Sequence, residues 1–160
     1  EFAFEVVNAE SVEEAVAGAA IVTCVTRARQ AFLQSGMLAQ GAHINAVGAI
    51  SAEREEVAED IFPRCGLVAG DSIPGIQKAS KEFIGYYDNG PGDWAEVTPI
   101  SAVIAAAAAR PASADLTLFK AMGMGISDLS LGMKLYARAV ETGAGRALPH
   151  PERATVRLKA

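Results

Sequence analysis

The sequence contains few of the residues that bind metal ions. Among its 160 residues there are only two cysteines and two histidines. Cys24 and Cys65 lie in separate apolar runs without the short spacing of metal ligands, so they are predicted to be small buried hydrophobic residues. His43 and His150 also lie in unrelated contexts, and His43 is interpreted as a core or capping residue rather than a catalyst. The sequence therefore predicts no metal site.

Positive charge and long apolar runs are also scarce. Lysine and arginine number 14 against 19 aspartate and glutamate residues, which gives a net charge of −5. Nucleic-acid binding needs clustered basic residues, so no nucleic-acid partner is predicted. The longest apolar run, residues 100–109, is shorter than the roughly 20 residues of a membrane-spanning helix. The acidic start, with Glu1 and Glu5, is unlike a secretory signal peptide, so we predict a cytoplasmic, reducing location and no membrane partner.

A glycine fingerprint for dinucleotide binding is missing as well. Such a fingerprint, Gly-x-Gly-x-x-Gly, follows a buried strand and opens a helix. The segment 123–128 has the first two glycines but carries Asp128 at the third position, and it is interpreted as a packed turn between a strand and a helix. The chain also opens on what resembles an internal strand of a sheet. We therefore expect it to be the second part of a larger α/β protein.

What the sequence does contain is an alternation of strands and helices. Its length and its 51% hydrophobic content suffice for one domain with a substantial core. The run at 21–25 is continuously apolar, which is typical of a strand covered on both faces. Alternation with helices indicates βαβ units and a parallel sheet. Short β-branched or alternating runs predict strands at residues 4–7, 21–25, 43–47, 66–70 and 116–120.

Helices are predicted from caps, chain breakers and apolar periodicity. Ser11 and Glu14 form a capping box that starts a short helix ending near residue 17. Ser127 caps the last helix, and Gly143 is the residue that ends it. The tail from residue 144 on is expected to be extended or mobile. Further helices are predicted in part of 52–61 and over 72–83, 99–110 and 128–142.

Two features indicate a ligand site. Residues 43–51 are interpreted as a buried strand that breaks into a turn at Gly48, and ligands of α/β proteins bind at the carboxyl ends of such strands. Lys120 ends another buried strand, where an ammonium group is costly unless it is paired or faces a ligand. Both roles, a ligand contact and a plain ion pair, stay open. Acidic residues at 53, 55, 56, 59 and 60 are interpreted as a solvated helical face.

Three blocks of sequence carry a family resemblance. They are Ala-Ala-Ile-Val-Thr-Cys-Val-Thr at 19–26, Gly-Ala-His-Ile-Asn-Ala-Val-Gly at 41–48 and Leu-Phe-Lys-Ala-Met-Gly-Met-Gly-Ile-Ser-Asp-Leu at 118–129. In their order and separation they resemble the ornithine cyclodeaminase/μ-crystallin family. The resemblance extends over residues 4–145, and the second block together with Leu-Phe-Lys is specific in combination.

The resemblance implies hydride transfer between a nicotinamide, of NAD or NADP, and the α-carbon of a small amino or imino acid. It implies an α/β fold, with an incomplete Rossmann-like parallel sheet, flanking helices and a long C-terminal helix returning toward a dimerisation domain. Residues 1–125 are then a partial NAD(P)-binding domain, and residues 126–160 the C-terminal helix and tail. The expected assembly is a homodimer or an association with a missing N-terminal segment.

Position by position, the resemblance assigns contacts to the cofactor and one contact to the substrate. Met122 matches a substrate-contacting position. Lys120 matches a family lysine and is a candidate catalytic residue. The cofactor contacts that the resemblance implies are Thr26, Val47, Gly48, Ala49, Ile50, Arg54 and Ala121.

Ile50 departs from the family pattern. In the family's cyclodeaminases this fourth residue of the turn is an aspartate that acts as acid and base, and isoleucine cannot transfer a proton. The resemblance therefore favours an imino-acid (ketimine) reductase or an amino-acid dehydrogenase. Ornithine cyclodeaminase proper, which converts ornithine to proline and ammonia, is the alternative. Two further alternatives are a non-catalytic crystallin-like binding protein and an inactive fragment.

Overall fold

A parallel sheet organises the chain. The structure, a computed structural model, describes residues 3–149, and within them five strands form one sheet. All of the strand pairs are parallel, which confirms the predicted α/β class. Because the strands run in one direction, their carboxyl ends share a single edge of the sheet. The strands are β1 (Ile21–Cys24), β2 (His43–Ala46), β3 (Cys65–Gly70), β4 (Val97–Pro99) and β5 (Leu116–Lys120). Across the sheet they lie in the order β1-β2-β5-β3-β4.

The helices of the described residues are short, with the exception of the last one. The predicted capping box starts the first helix: the Ser11 hydroxyl accepts the Glu14 N–H at 3.1 Å. The Glu14 carboxylate accepts the N–H of Glu10 at 2.7 Å, one residue before the predicted donor. The helices are α1 (Val12–Val16), α2 (Ile73–Ala79), α3 (Lys81–Tyr87), α4 (Ile100–Ala105) and α5 (Gly125–Thr142), with 3-10 turns at Ser35–Met37, Glu59–Arg64 and Trp94–Glu96.

One face of the sheet carries the hydrophobic core. Successive side chains of a strand point to opposite faces, and residues in register share a face. The register places Ile44 between Val22 and Leu118, and all three side chains are buried. They cluster with Ile76 of α2 and Phe83 of α3, which are also buried. This packing fixes the strands whose carboxyl ends form the candidate site.

The opposite face is more polar and less covered. His43 lies there, with its Nδ1 2.8 Å from the Thr117 hydroxyl and its Nε2 3.1 Å from the Asn45 amide oxygen. Ile21, in register with His43, is 66% exposed. The prediction that 21–25 is covered on both faces is therefore wrong within the described residues, since nothing in them shields this side of β1.

Two predicted elements do not form. Residues 4–7 form no strand, and Val6 and Val7 are exposed, because an alternating pattern becomes a strand only where a neighbouring strand supplies hydrogen bonds. The predicted helix in 52–61 is replaced by a loop in which Val57 bridges Leu33, followed by the 3-10 turn. Tertiary contacts override helix propensity there.

Two further helix predictions fail in their boundaries. The alanine-rich helix occupies only Ile100–Ala105, and the residues before it form β4, which was not predicted. Residues 105–109 are exposed, so alanine propensity has no buried face to support further turns. Ala107 adopts a φ of 46°, which leaves the helical region. The predicted helix over 72–83 is divided into α2 and α3 at Ser80.

The chain divides into two compact units, Glu1–Met124 and Gly125–Ala160. In the second unit, Gly143 follows α5 with a φ of 64°, as its predicted end. The assignment of residues 1–125 to a partial NAD(P)-binding domain and of 126–160 to a C-terminal helix and tail stays a prediction. His150 and the tail from there on lie outside the described residues. None of the described helices is both long and apolar enough to cross a membrane. The exposed apolar side chains of α5 include Ile126, Leu129, Met133, Tyr136 and Val140.

Candidate functional site at the carboxyl edge of the sheet

Three loops meet where β1, β2 and β5 end. The N–H groups of Val47 and Gly48 both donate to the Cys24 carbonyl, at 2.9 and 3.1 Å. The N–H of Ala121 donates to the Ala46 carbonyl at 3.1 Å. The loop after β2, residues 47–50, is therefore held between the loops after β1 and β5. The residues assigned to the cofactor and substrate lie in or beside these loops, at one edge of the sheet.

A buried carboxylate joins the first two loops. Glu56 is fully buried, and its Oε1 accepts the N–H of Thr26 at 2.5 Å and the Thr26 hydroxyl at 2.8 Å. Its Oε2 accepts the N–H groups of Gly48 and Ala49 at 2.8 and 3.1 Å. A buried carboxylate is tolerated because such donors replace its hydration. The interpretation of Glu56 as part of a solvated face is therefore wrong.

Gly48 is required by the closeness of this packing. A Cβ atom at this position would lie 2.2 Å from the Thr26 carbonyl oxygen, 2.4 Å from the Thr26 nitrogen and 2.3 Å from Glu56 Oε1. Two of these three atoms belong to the backbone, so they cannot swing aside as the end of a side chain can. Glycine allows the turn after β2 to lie directly against the loop after β1.

Lys120 contacts the turn 47–50 from the interior of the protein. Its side chain is fully buried, and the ammonium group donates to the Ala49 carbonyl at 2.6 Å and to Glu82 Oε1 at 3.1 Å. Of the two roles that the sequence left open, this geometry favours the ion pair, because every donor contact observed for the ammonium group points into the protein. Desolvation raises the pKa of Glu82, an effect that the neighbouring Lys120 opposes. Within the described residues, Glu82 Oε2 and the Ser80 hydroxyl have no hydrogen-bond partner.

A second carboxylate holds the loop after β5. Asp71 follows β3, and its N–H donates to the Lys120 carbonyl at 3.1 Å. Its carboxylate accepts the N–H of Met122 at 3.0 Å and that of Gly123 at 2.9 Å. Asp71 thereby fixes the backbone of the residue that the resemblance assigns to the substrate.

The outer surface of this edge is apolar at position 50, where the resemblance places the acid and base of the cyclodeaminases. Ile50 is 53% exposed, and Val47, Ala121 and Met122 are half-buried. Arg54 is directed to the loop after β1, where its guanidinium donates to the Arg27 carbonyl at 2.5 Å. The turn thus offers a hydrophobic side chain and backbone groups, and no acid or base at position 50.

The other candidates for chemistry do not face this surface. Burial raises the pKa of the Cys24 thiol to about 12, so the thiol is protonated at neutral pH and a poor nucleophile. Burial likewise raises the pKa of Cys65 to about 12. His43 starts β2 and therefore lies at the opposite end of the strand from Gly48. Within residues 3–149, no group of histidine, cysteine, aspartate and glutamate side chains has an arrangement that could hold a metal ion.

The sequence pattern does not reveal the three carboxylates beneath the site. Glu56 lies among acids that the sequence predicts to be solvated, and no motif distinguishes Asp71 or Glu82. The available signal was weak: Asp71 directly follows a buried strand, as functional residues of α/β sheets often do. For Glu56 and Glu82, burial depends on the loop path, which local patterns do not encode.

The fold defines a Rossmann-like α/β domain, and the candidate site lies at the carboxyl edge of its sheet. The chain belongs to the ornithine cyclodeaminase/mu-crystallin family, since the family's sequence profile matches residues 1–143. Ketimine reductase mu-crystallin of Rattus norvegicus is 31% identical over 127 residues, which are 79% of this chain and 38% of the relative. Ornithine cyclodeaminase of Brucella suis is 30% identical over 142 residues, 88% of this chain and 38% of that protein.

Solved structures give the same result for the fold. The Δ1-pyrroline-2-carboxylate reductase of Thermococcus litoralis, in complex with NADH and L-proline, is similar with a TM-score of 0.76 and 27% identity. The similarity covers 88% of this chain and 44% of that one. An archaeal alanine dehydrogenase dimer with bound NAD shares the fold, with a TM-score of 0.71 and 22% identity over 88% of this chain and 43% of its own. The chain spans less than half the length of these relatives.

Proposed function

We propose that the chain forms part of an NAD(P)-dependent imino-acid (ketimine) reductase or amino-acid dehydrogenase. The dinucleotide, when bound, supplies or accepts the hydride that is exchanged with the α-carbon of the substrate. The chain's own contribution is to present the turn 47–50, backed by Glu56 and Lys120, as a fixed surface. Support comes from the family and from the T. litoralis reductase that binds NADH and L-proline.

The observation that carries the proposal is the exposed Ile50 side chain at the carboxyl edge of β2. A protonated cyclic imine already holds a proton on its nitrogen, so its reduction forms one C–H bond with the incoming hydride and requires no protein acid at the carbon. Ornithine cyclodeamination also requires proton transfers to and from amines before ammonia leaves. An isoleucine at this position suits the first reaction and cannot serve the second.

The residues at the edge fit a nicotinamide. Parallel sheets bind such ligands beyond their carboxyl ends, and this edge presents Val47, Ile50 and Ala121 as an apolar surface. We assign cofactor contacts to these residues and to Thr26, Gly48, Ala49 and Arg54, and a substrate contact to Met122. The proposed cofactor is NAD or NADP. Both are named because the residue that distinguishes them follows another strand of such folds.

The proposed partners are a small amino or imino acid and a second protein surface. The apolar side chains along α5 are exposed, which supports a homodimer or an association with a further segment of the protein. Size-exclusion chromatography tests this: a clean monomer at high concentration would contradict it. The proposed location is the cytoplasm, where Cys24 and Cys65, both free thiols here, stay reduced.

The test is an assay of the whole protein that contains this chain. We expect oxidation of NADH or NADPH in the presence of Δ1-pyrroline-2-carboxylate or a related cyclic imine. We expect no release of ammonia from ornithine with NAD. Absence of cofactor oxidation with every imino acid tried would contradict the reductase, and ammonia release would favour the cyclodeaminase. Dinucleotide binding without any turnover would instead support a crystallin-like binding protein, and no binding at all an inactive fragment.

Ile50→Asp separates the two catalytic functions further. If the missing acid and base is what prevents cyclodeamination, the variant gains measurable proline and ammonia formation from ornithine. The matched control is Ile50→Val, which keeps an apolar side chain and is expected to retain imine reduction. Cyclodeamination by the unmodified protein, equal to that of Ile50→Asp, would show that position 50 does not decide the reaction.

A further inference from the structure

Glu56 occupies an unusual place for a charged side chain. It is fully buried, and its two carboxylate oxygens face two different loops. One oxygen accepts the N–H and the hydroxyl of Thr26, and the other accepts the N–H groups of Gly48 and Ala49. The four hydrogen-bond donors come from the ends of two adjacent strands. A residue needed only to fill this space would not have to be charged.

Glu56 is itself held in place by its neighbours. The Glu56 carbonyl accepts the N–H groups of Phe32 and Leu33, at 3.1 and 3.0 Å. Val57, the next residue, is buried and bridges Leu33. The carboxylate therefore projects from a fixed backbone into the space between the two loops, and the loops are positioned against it.

We infer that Glu56 is a positioning residue, whose carboxylate sets the distance between the loop after β1 and the turn after β2 on the surface that meets the nicotinamide. The inference about the nicotinamide rests on the proposed function, whereas the positioning of the loops rests on the hydrogen bonds alone. Glu56 does not touch the outer surface, so it acts through Thr26, Gly48 and Ala49.

The test compares Glu56→Gln with Glu53→Gln, which neutralises an exposed acid three residues earlier. In Glu56→Gln one accepting oxygen becomes an NH2 group that faces N–H donors, so one of the two loops must move. Hydrogen exchange should accelerate at least tenfold at the amides of Thr26, Gly48 or Ala49 and stay unchanged in the core of β5. Glu53→Gln should exchange like the unmodified protein. This measurement requires no cofactor.

Binding and kinetics of the whole protein give the second readout. Loss of a charge-assisted hydrogen bond corresponds to about a tenfold or larger change in an equilibrium constant. We expect Glu56→Gln to raise the Kd and KM for NADH or NADPH by at least tenfold. Binding of ADP, which lacks the nicotinamide, should change by less than twofold. A change in kcat smaller than the change in KM would match a role in positioning the cofactor.

Each outcome decides one of the two claims. Unchanged exchange at the three amides overturns the inference, and so does equal loss of ADP and NADH binding, which would show a general loss of folding. If Glu56→Gln does not fold, Glu56→Asp serves: its carboxylate is one methylene shorter, and it should accelerate exchange in one loop only. If the unmodified protein binds no dinucleotide, the proposed function fails, while the exchange data still decide whether Glu56 positions the loops.

Discussion

Replacing Gly48 by alanine tests how closely the two loops are packed. The added Cβ would lie 2.2 Å from the Thr26 carbonyl oxygen and 2.4 Å from its nitrogen. Attractive contacts between such atoms begin at about 3.5 Å, so the loops would have to separate by roughly 1 Å. That separation conflicts with the hydrogen bonds from the N–H of Gly48 to Glu56 and to the Cys24 carbonyl, at 2.8 and 3.1 Å.

The expected loss of stability follows from these contacts. Overpacking in a tight site costs about 1–3 kcal/mol. Weakening a hydrogen bond to a charged group costs about 1.5–3 kcal/mol. Gly48→Ala should therefore reduce the free energy of unfolding by about 2.5–6 kcal/mol, a large share of the roughly 5–15 kcal/mol that holds a typical domain folded. We also expect weaker NADH binding in the whole protein.

Urea unfolding, monitored by far-UV circular dichroism, measures this loss. Gly36→Ala is the matched control, because a Cβ at Gly36 would meet no atom within 4 Å. That variant should unfold within about 0.5 kcal/mol of the unmodified protein, as surface substitutions do. If Gly48→Ala were as stable as Gly36→Ala, with the same denaturant dependence, the two loops would not be in the contact that the structure shows.

Three further variants test two ion pairs of the same unit. Lys120→Met leaves Glu82 buried without its cation and should lower the free energy of unfolding in urea by about 3–5 kcal/mol. Lys120→Met combined with Glu82→Met should recover most of that loss. Equal losses in the single and the double variant would argue against the buried ion pair. The hydrogen bond from Arg64 lowers the pKa of Asp115 below its ordinary value of 3.8. The ionised Asp115 therefore stabilises the folded state above pH 3.8, and this stabilisation is lost as the pH falls through the lower pKa of the folded state. Asp115→Asn removes this contribution, so the stability advantage of the unmodified protein should shrink below pH 3.8, and parallel pH profiles would contradict the assignment.

The sheet was predictable because its strands carry a strong local signal. Ile44 and Leu118 lie in short runs, His-Ile-Asn-Ala-Val and Leu-Thr-Leu-Phe, in which apolar residues alternate with polar ones, and such runs predict strands. The short segment 97–99 was missed because three residues give too little pattern. The alanine-rich segment after it has high helix propensity, but only part of it is helical, because propensity without burial stabilises few turns.

The location of the site could be predicted, but the buried residues that support it could not. Gly48 and Lys120 could be placed at the carboxyl edge, since they end buried strands. Their supports could not be identified: Glu56 lies in an acidic segment whose local pattern indicates a solvated helix. It is buried because the loop folds back along residues 32 and 33, a contact between distant parts of the sequence. Long-range contacts of this kind are absent from local periodicity.

We propose that Ile50, at the turn after β2, meets the nicotinamide of a bound dinucleotide. Nuclear Overhauser contacts between the nicotinamide ring protons of NADH and isoleucine methyl groups, in the isotopically labelled whole protein, test it directly. We expect contacts to the methyl groups of Ile50, identified by their disappearance in Ile50→Val. If NADH binds and its nicotinamide contacts other side chains while Ile50 shows none, the assignment of this turn to the hydride-transfer site is wrong.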